Sequence, residues 1–251
     1  MTLRNPDREA VAHGHITNEP IRQKPGVPSW VLKLIMAVTG LLFALFVVGH
    51  MAGNLKLYLP ANGGEEALDE YGAFLRSMGE PLFPHEGALW IIRAVLLVAI
   101  LAHIYGAFAL TARSKASRGK FRRSNLMGGL DSFATKSMLV TGIVLLLFII
   151  FHLLDLTLGV QPFAPGDFAE GAVKANMIAT FSRWPVTIVY AIAMCFLFLH
   201  LTHGIRLAAS DLGITGAKWR QTFLILAYVI PAVVCIGNIV MPLSVALGLV
   251  S

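Results

Sequence analysis

Val38–His50 reads VTGLLFALFVVGH, and Val140–His152 reads VTGIVLLLFIIFH. Each run is free of charge, opens on Val-Thr-Gly and closes on His, with the Thr eleven residues before the His. At about 3.6 residues per turn, eleven residues are close to three turns, so Thr and His share a helix face. Two apolar helices with an imidazole at the same point of a repeat read as a pair of ligands gripping something between them. Two further apolar runs carry a late histidine, His103 and His200. Four imidazoles on four apolar helices are the strongest constraint on what this chain can become.

The 251 residues are 56% hydrophobic and only 14% charged, too apolar for an ordinary soluble domain. The pattern predicts an all-α membrane protein with five transmembrane helices, over about 29–57, 87–113, 132–158, 184–208 and 221–249. Four of them form a histidine-bearing core, and the fifth carries Pro231 and Pro242, which should kink it or mark its ends. A polar segment, 1–28, precedes a single transmembrane domain, 29–250. That segment has no apolar signal core, so no cleaved signal peptide is expected. A short amphipathic helix is expected around Glu65–Met78. His13 and His15 read as part of a solvated tail, with a metal role as the alternative.

The net charge of +6 is unevenly spread. Basic residues flank the N-terminus, the second loop (Lys115, Arg118, Lys120, Arg122, Arg123) and the fourth loop (Lys218, Arg220), while the other loops are acidic or neutral. The positive-inside rule then puts the N-terminus in the cytoplasm and the C-terminus outside. This distribution argues against a nucleic-acid partner, since the basic residues border lipid spans. Cys195 and Cys235 both lie inside apolar runs, which argues against a structural disulfide and leaves the redox compartment open.

With that topology, His50 and His152 fall in the outer half of the bilayer and His103 and His200 in the inner half. Neutral imidazole is a good iron ligand, and a bis-histidine haem b at each level is the most economical filling. Structural packing is the bland alternative for any one intramembrane histidine, but ionisable residues in lipid favour function. Gly49, Gly53, Gly106 and Gly204 could admit a flat macrocycle or simply serve helix packing. His203, nearly one turn from His200, cannot share its axial position and could meet a propionate, a quinone or a soluble partner.

The residues then reach a known family. Thr39-Gly40, His50-Met51-Ala52-Gly53-Asn54-Leu55-Lys56, His103-Ile104-Tyr105-Gly106, Phe151-His152-Leu153-Leu154-Asp155 and His200 with Gly204-Ile205-Arg206 resemble the diheme cytochrome b membrane anchor of succinate dehydrogenase and fumarate reductase, the respiratory complex II. The single-subunit, five-helix, actinobacterial-like type fits. In that family a Gly follows the fourth-helix ligand by four places, which selects His200 over His203. The resemblance implies a distal haem on the first and third helices and a proximal one on the second and fourth, held through iron by His50, His152, His103 and His200. It implies a flavoprotein subunit with covalent FAD and an iron–sulfur subunit as partners. Electrons would pass through two b haems to a quinone, menaquinone if the actinobacterial likeness holds, in the cytoplasmic (inner) membrane. The chain would have no succinate site of its own, and the complex could form a higher oligomer.

Other polar positions remain open. Arg93, in the outer half of the second span, needs a partner: a haem propionate, or the interface by snorkelling. Lys56 is a weaker candidate of the same kind. Lys33, Arg113, Lys136 and Arg206 could pair with inner propionates or simply follow the positive-inside rule. Glu80, His85, Glu86 and Trp90 form an outer quinone-site candidate, and His203 with Arg206 an inner one. Asp155 could orient an imidazole or relay protons, or be a plain helix-end carboxylate. Rival readings are a diheme anchor for another respiratory dehydrogenase, a Rieske-like centre using the two cysteines and two histidines, and a haem-free scaffold.

Overall fold

The computed structural model describes residues 26–61, 66–118 and 130–250, with backbone alone at 118 and 130–136. The segment bearing His13 and His15, the basic positions Lys120, Arg122 and Arg123, and the Lys136 side chain therefore lie outside the described residues. Among those described, the chain is all helical: α1 (Ser29–Asn54), α2 (Ala67–Ser77), α3 (Gly87–Arg118), α4 (Leu130–His152), α5 (Val173–Phe181), α6 (Trp184–Asp211) and α7 (Ala217–Ala246). Five of them, α1, α3, α4, α6 and α7, are long and apolar enough to cross a membrane. The helix expected around Glu65–Met78 is α2. Pro231 and Pro242 both lie inside α7, so neither marks its end.

The two repeats end differently. After His50, α1 runs on to Asn54 and tightens into a 3₁₀ turn, Leu55–Tyr58. After His152, α4 widens at once into a single π turn, Leu153–Thr157. Such a turn holds an extra residue and shifts the register of the side chains beyond it.

In the bundle α1 packs on α3 and α6, α4 packs on α6, and α7 packs on α6 and α1. The contacts run in the series α3, α1, α6, α4, whose two ends, α3 and α4, are not close-packed; bent into a ring, it keeps that order. The diagonals of that ring are α1 with α4 and α3 with α6. Neither diagonal pair is close-packed.

The polar links show that neighbours run antiparallel. Near the start of α1, Arg113 of α3 donates to Ser29 Oγ (3.0 Å) and to the Val27 carbonyl (2.6 Å), and Lys33 pairs with Asp211 of α6 at 3.1 Å. At the other end, α2 and α5 lie over the bundle. There Leu57, Leu68, Met177, Phe181, Tyr190, Met241 and Val245 form one buried cluster. Elsewhere the spans show large apolar side chains outward, such as Leu45 and Val98. Lipid is as apolar as these side chains, so nothing drives them inward. The compact core forms instead at the end where short helices must cover it from water.

Candidate functional site

The two diagonals carry the four histidines. His50 of α1 and His152 of α4 have ring centroids 5.8 Å apart and nearly perpendicular, at 85°. His103 of α3 and His200 of α6 have centroids 6.3 Å apart, tilted by 57°. Thr39 lies at the level of His103, and three turns of α1, about 16 Å, separate Thr39 from His50. The pairs therefore stand at two levels of one bundle.

Backbone carbonyls set the tautomers. Thr39 donates its hydroxyl to the Ile35 carbonyl at 2.6 Å, so its oxygen is left to accept from His103 Nδ1–H, 2.9 Å away. Thr141 repeats the arrangement: it donates to the Met138 carbonyl at 3.0 Å and accepts from His200 Nδ1–H, also at 3.0 Å. The adjacent glycines lie beside the same rings. A Cβ on Gly40 would stand 3.4 Å from His103 Cε1, and one on Gly142 3.5 Å from His200 Cε1. With Nδ1 protonated, Nε2 carries the lone pair that a metal would take.

The His50/His152 pair is held unevenly. His152 Nδ1 lies 3.2 Å from the Tyr190 hydroxyl, which donates to Asp155 Oδ2 at 3.0 Å. Asp155 is fully buried, and its other oxygen accepts from Arg183 (2.6 Å) and Thr180 (3.2 Å). Phe148 stacks on His152 and Phe46 stacks on His50. The His50 ring has no hydrogen-bond partner of the kind that His152 has in Tyr190.

The remaining candidates divide. Arg93 pairs with Glu86 Oε2 at 3.5 Å and lies over the Trp90 ring at 4.8 Å, so this protein supplies the partner its charge demands. Glu86 also pairs with Arg76 at 3.3 Å and sits at φ 61°, a strained backbone for a residue with a Cβ. Glu80 and His85 form a separate exposed pair at 3.0 Å. Lys56 lies 5.4 Å over the Tyr71 ring. His203 and Arg206 follow His200 on α6, both partly buried.

Of the small residues, Gly53 admits Tyr71, since a Cβ there would stand 2.5 Å from the ring, and Gly106 admits Met36 at 3.0 Å. These two serve helix packing. Gly49 and Gly204 have open space where a Cβ would be. Cys235 is buried and donates to the Met194 carbonyl, while Cys195 is exposed. Among the described residues no three His, Cys, Asp or Glu side chains gather as a metal site, so the two-cysteine, two-histidine set is not assembled.

Sequence reasoning missed Tyr190, Arg183 and the seating role of the two threonines. Tyr190 could have been found by register. It stands ten residues before His200, as Arg93 stands ten before His103.

Fold and site together define a multi-pass helical membrane protein that presents two diagonal imidazole pairs, one above the other. Residues 128–237, from the start of α4 into α7, match the family model described as the succinate dehydrogenase/fumarate reductase transmembrane subunit. This match supports a membrane anchor of that oxidoreductase complex. Neither the curated proteins nor the solved structures give a significant match.

Proposed function

We propose that this chain anchors a succinate:quinone oxidoreductase in the membrane and carries electrons between its iron–sulfur subunit and quinone through two b-type haems. The observation that carries this reading is the pair of diagonals. An imidazole nitrogen bonds a metal at about 2 Å. Two such bonds in line, with the rings behind them, put centroids roughly 6 Å apart, and both pairs have that spacing. The donor set is all imidazole, the Nδ1 atoms of three of the four rings are held by oxygen acceptors, and the helices on the diagonals are not close-packed on one another.

His50 with His152 would hold one haem, and His103 with His200 the other. Bound haem supplies a one-electron iron couple at each level. The protein's part is to fix ring orientation through Thr39, Thr141 and Tyr190. The levels are separated by about three helical turns, roughly 16 Å, across a hydrocarbon core of about 30 Å.

The family match supports the partners, a flavoprotein and an iron–sulfur subunit. Quinone as the acceptor, menaquinone for an actinobacterial-type anchor, and residence in the cytoplasmic membrane complete the reading. A reduced-minus-oxidised visible spectrum of the purified complex tests it. Two overlapping b-type bands, with a flavoprotein co-purifying, are expected. A silent spectrum would remove the haems, and two bands with no flavoprotein would point to another dehydrogenase.

A further inference from the structure

The two halves of the bundle treat their histidines alike at one level and differently at the other. At the His103/His200 level each ring rests on the Thr of a Thr-Gly pair. At the His50/His152 level one ring has a buried ionic network behind it and the other has none. The positions equivalent to that network in the first half are Gly53, three residues after His50, and Arg93, ten before His103. Gly53 offers no side chain, and Arg93 turns to Glu86 and Trp90. Asp155 lies within the π turn that follows His152 and is 0% exposed.

We propose that Tyr190, Asp155 and Arg183 act as a positioning set for His152 that makes the His50/His152 centre electronically unlike the His103/His200 centre. The proposal rests on the haem reading above and concerns this chain's residues alone. His152 Nδ1–H donates to the Tyr190 oxygen because the Tyr190 proton is committed to Asp155 Oδ2. A carboxylate at the end of such a chain pulls on the Nδ1 proton and makes Nε2 a more electron-rich ligand. Its negative charge also favours the oxidised, more positive metal. Arg183, 30% exposed at its side chain, holds the carboxylate in place at 2.6 Å and offsets part of that charge. Thr39 and Thr141 offer only a neutral hydroxyl, so the other level lacks this effect. The result is a lower potential at the His50/His152 centre than its imidazoles alone would give.

The test is a redox titration of both b-type bands in the intact complex, with low-temperature electron paramagnetic resonance of the oxidised form. Tyr190→Phe removes one oxygen and keeps the ring that packs on Phe148 and Phe181. It should raise the potential of one band, favouring reduction about tenfold, or about 59 mV for one electron. Asp155→Asn should move the same band in the same direction, and Asp155→Glu should return it toward the wild-type value. The second band should stay in place. An unmoved band in Tyr190→Phe at full haem content would overturn the proposal, as would equal movement of both bands. If Asp155→Asn loses a haem, Tyr190→Phe decides. A wild-type complex without two b-type bands defeats the underlying haem reading instead.

Discussion

His103 Nδ1 stands 2.9 Å from Thr39 Oγ1, 64 positions away in the chain, and the same bond recurs between His200 and Thr141 at 3.0 Å. Each Thr lies three turns from the histidine of its own helix, so one short motif serves both levels. Its His end contributes to one imidazole pair, and its Thr end seats a ring of the other; in the haem reading proposed above each ring is a ligand. Thr39→Val and Thr141→Val should therefore each weaken the same haem, by about 10–100-fold in affinity as for other lost partners of a metal-bound histidine. Haem transfer to an apo-acceptor measures this. Thr39→Ser, which keeps the hydroxyl, should restore retention.

The diagonals predict which substitutions act together. His50→Ala and His152→Ala should remove one b-type band, and His103→Ala and His200→Ala the other. The haem-to-chain ratio, read from the pyridine haemochrome, should fall from two to one in each case. Loss of a different band by His50→Ala and His152→Ala would contradict the pairing.

Arg183 is the cation that answers the carboxylate of Asp155. Arg183→Leu would leave that carboxylate buried with only hydroxyl donors from Thr180 and Tyr190. Breaking a buried ion pair from one side costs about 3–5 kcal/mol, and partial exposure of Arg183 puts this case at about 3 kcal/mol. Thermal unfolding of the complex in detergent should show the loss. The double variant Arg183→Leu with Asp155→Asn should recover much of it, because the uncompensated charge is gone.

The glycines predict a contrast. Gly53→Ala would drive a Cβ to 2.5 Å from Tyr71 Cε1, an overpacking that costs about 1–3 kcal/mol. Gly204 lies one turn beyond His200 on the same face, and an added Cβ there meets no neighbouring atom of the described residues within 4 Å. Gly204→Ala should leave the thermal stability of the haem-free chain unchanged and lower the occupancy of the haem proposed between His103 and His200. Full occupancy in Gly204→Ala would mean that this space lies outside the haem's edge.

The spans were legible because charge-free runs of that length have few alternatives in water. The histidine pairs were legible because the Val-Thr-Gly and His repeat marks equal positions on two helices. The seat of His103 was half legible. An eleven-residue spacing puts Thr39 under His50, but only the antiparallel packing of α3 on α1 brings His103 to that height. Tyr190 and Arg183 were hidden for another reason. They stand 35 and 28 positions from Asp155 in the chain, and only the packing of α6 on α4 brings them to it. The expectation for Arg93 reached the need for a counter-charge but not its source. Glu86 supplies it from the first residue before α3, held there by a backbone conformation that residue type alone does not announce.

A chain built from two like hairpins, α1 with α3 and α4 with α6, is its own reference material. Any lesion placed in one hairpin has a twin site in the other, in the same molecule and under the same lipid and voltage. Where the twins respond equally, the shared Val-Thr-Gly and His pattern accounts for the response. Where they diverge, at Asp155 against Gly53 and Tyr190 against Arg93, the two hairpins are no longer equivalent, and that divergence gives an otherwise two-fold bundle a left and a right.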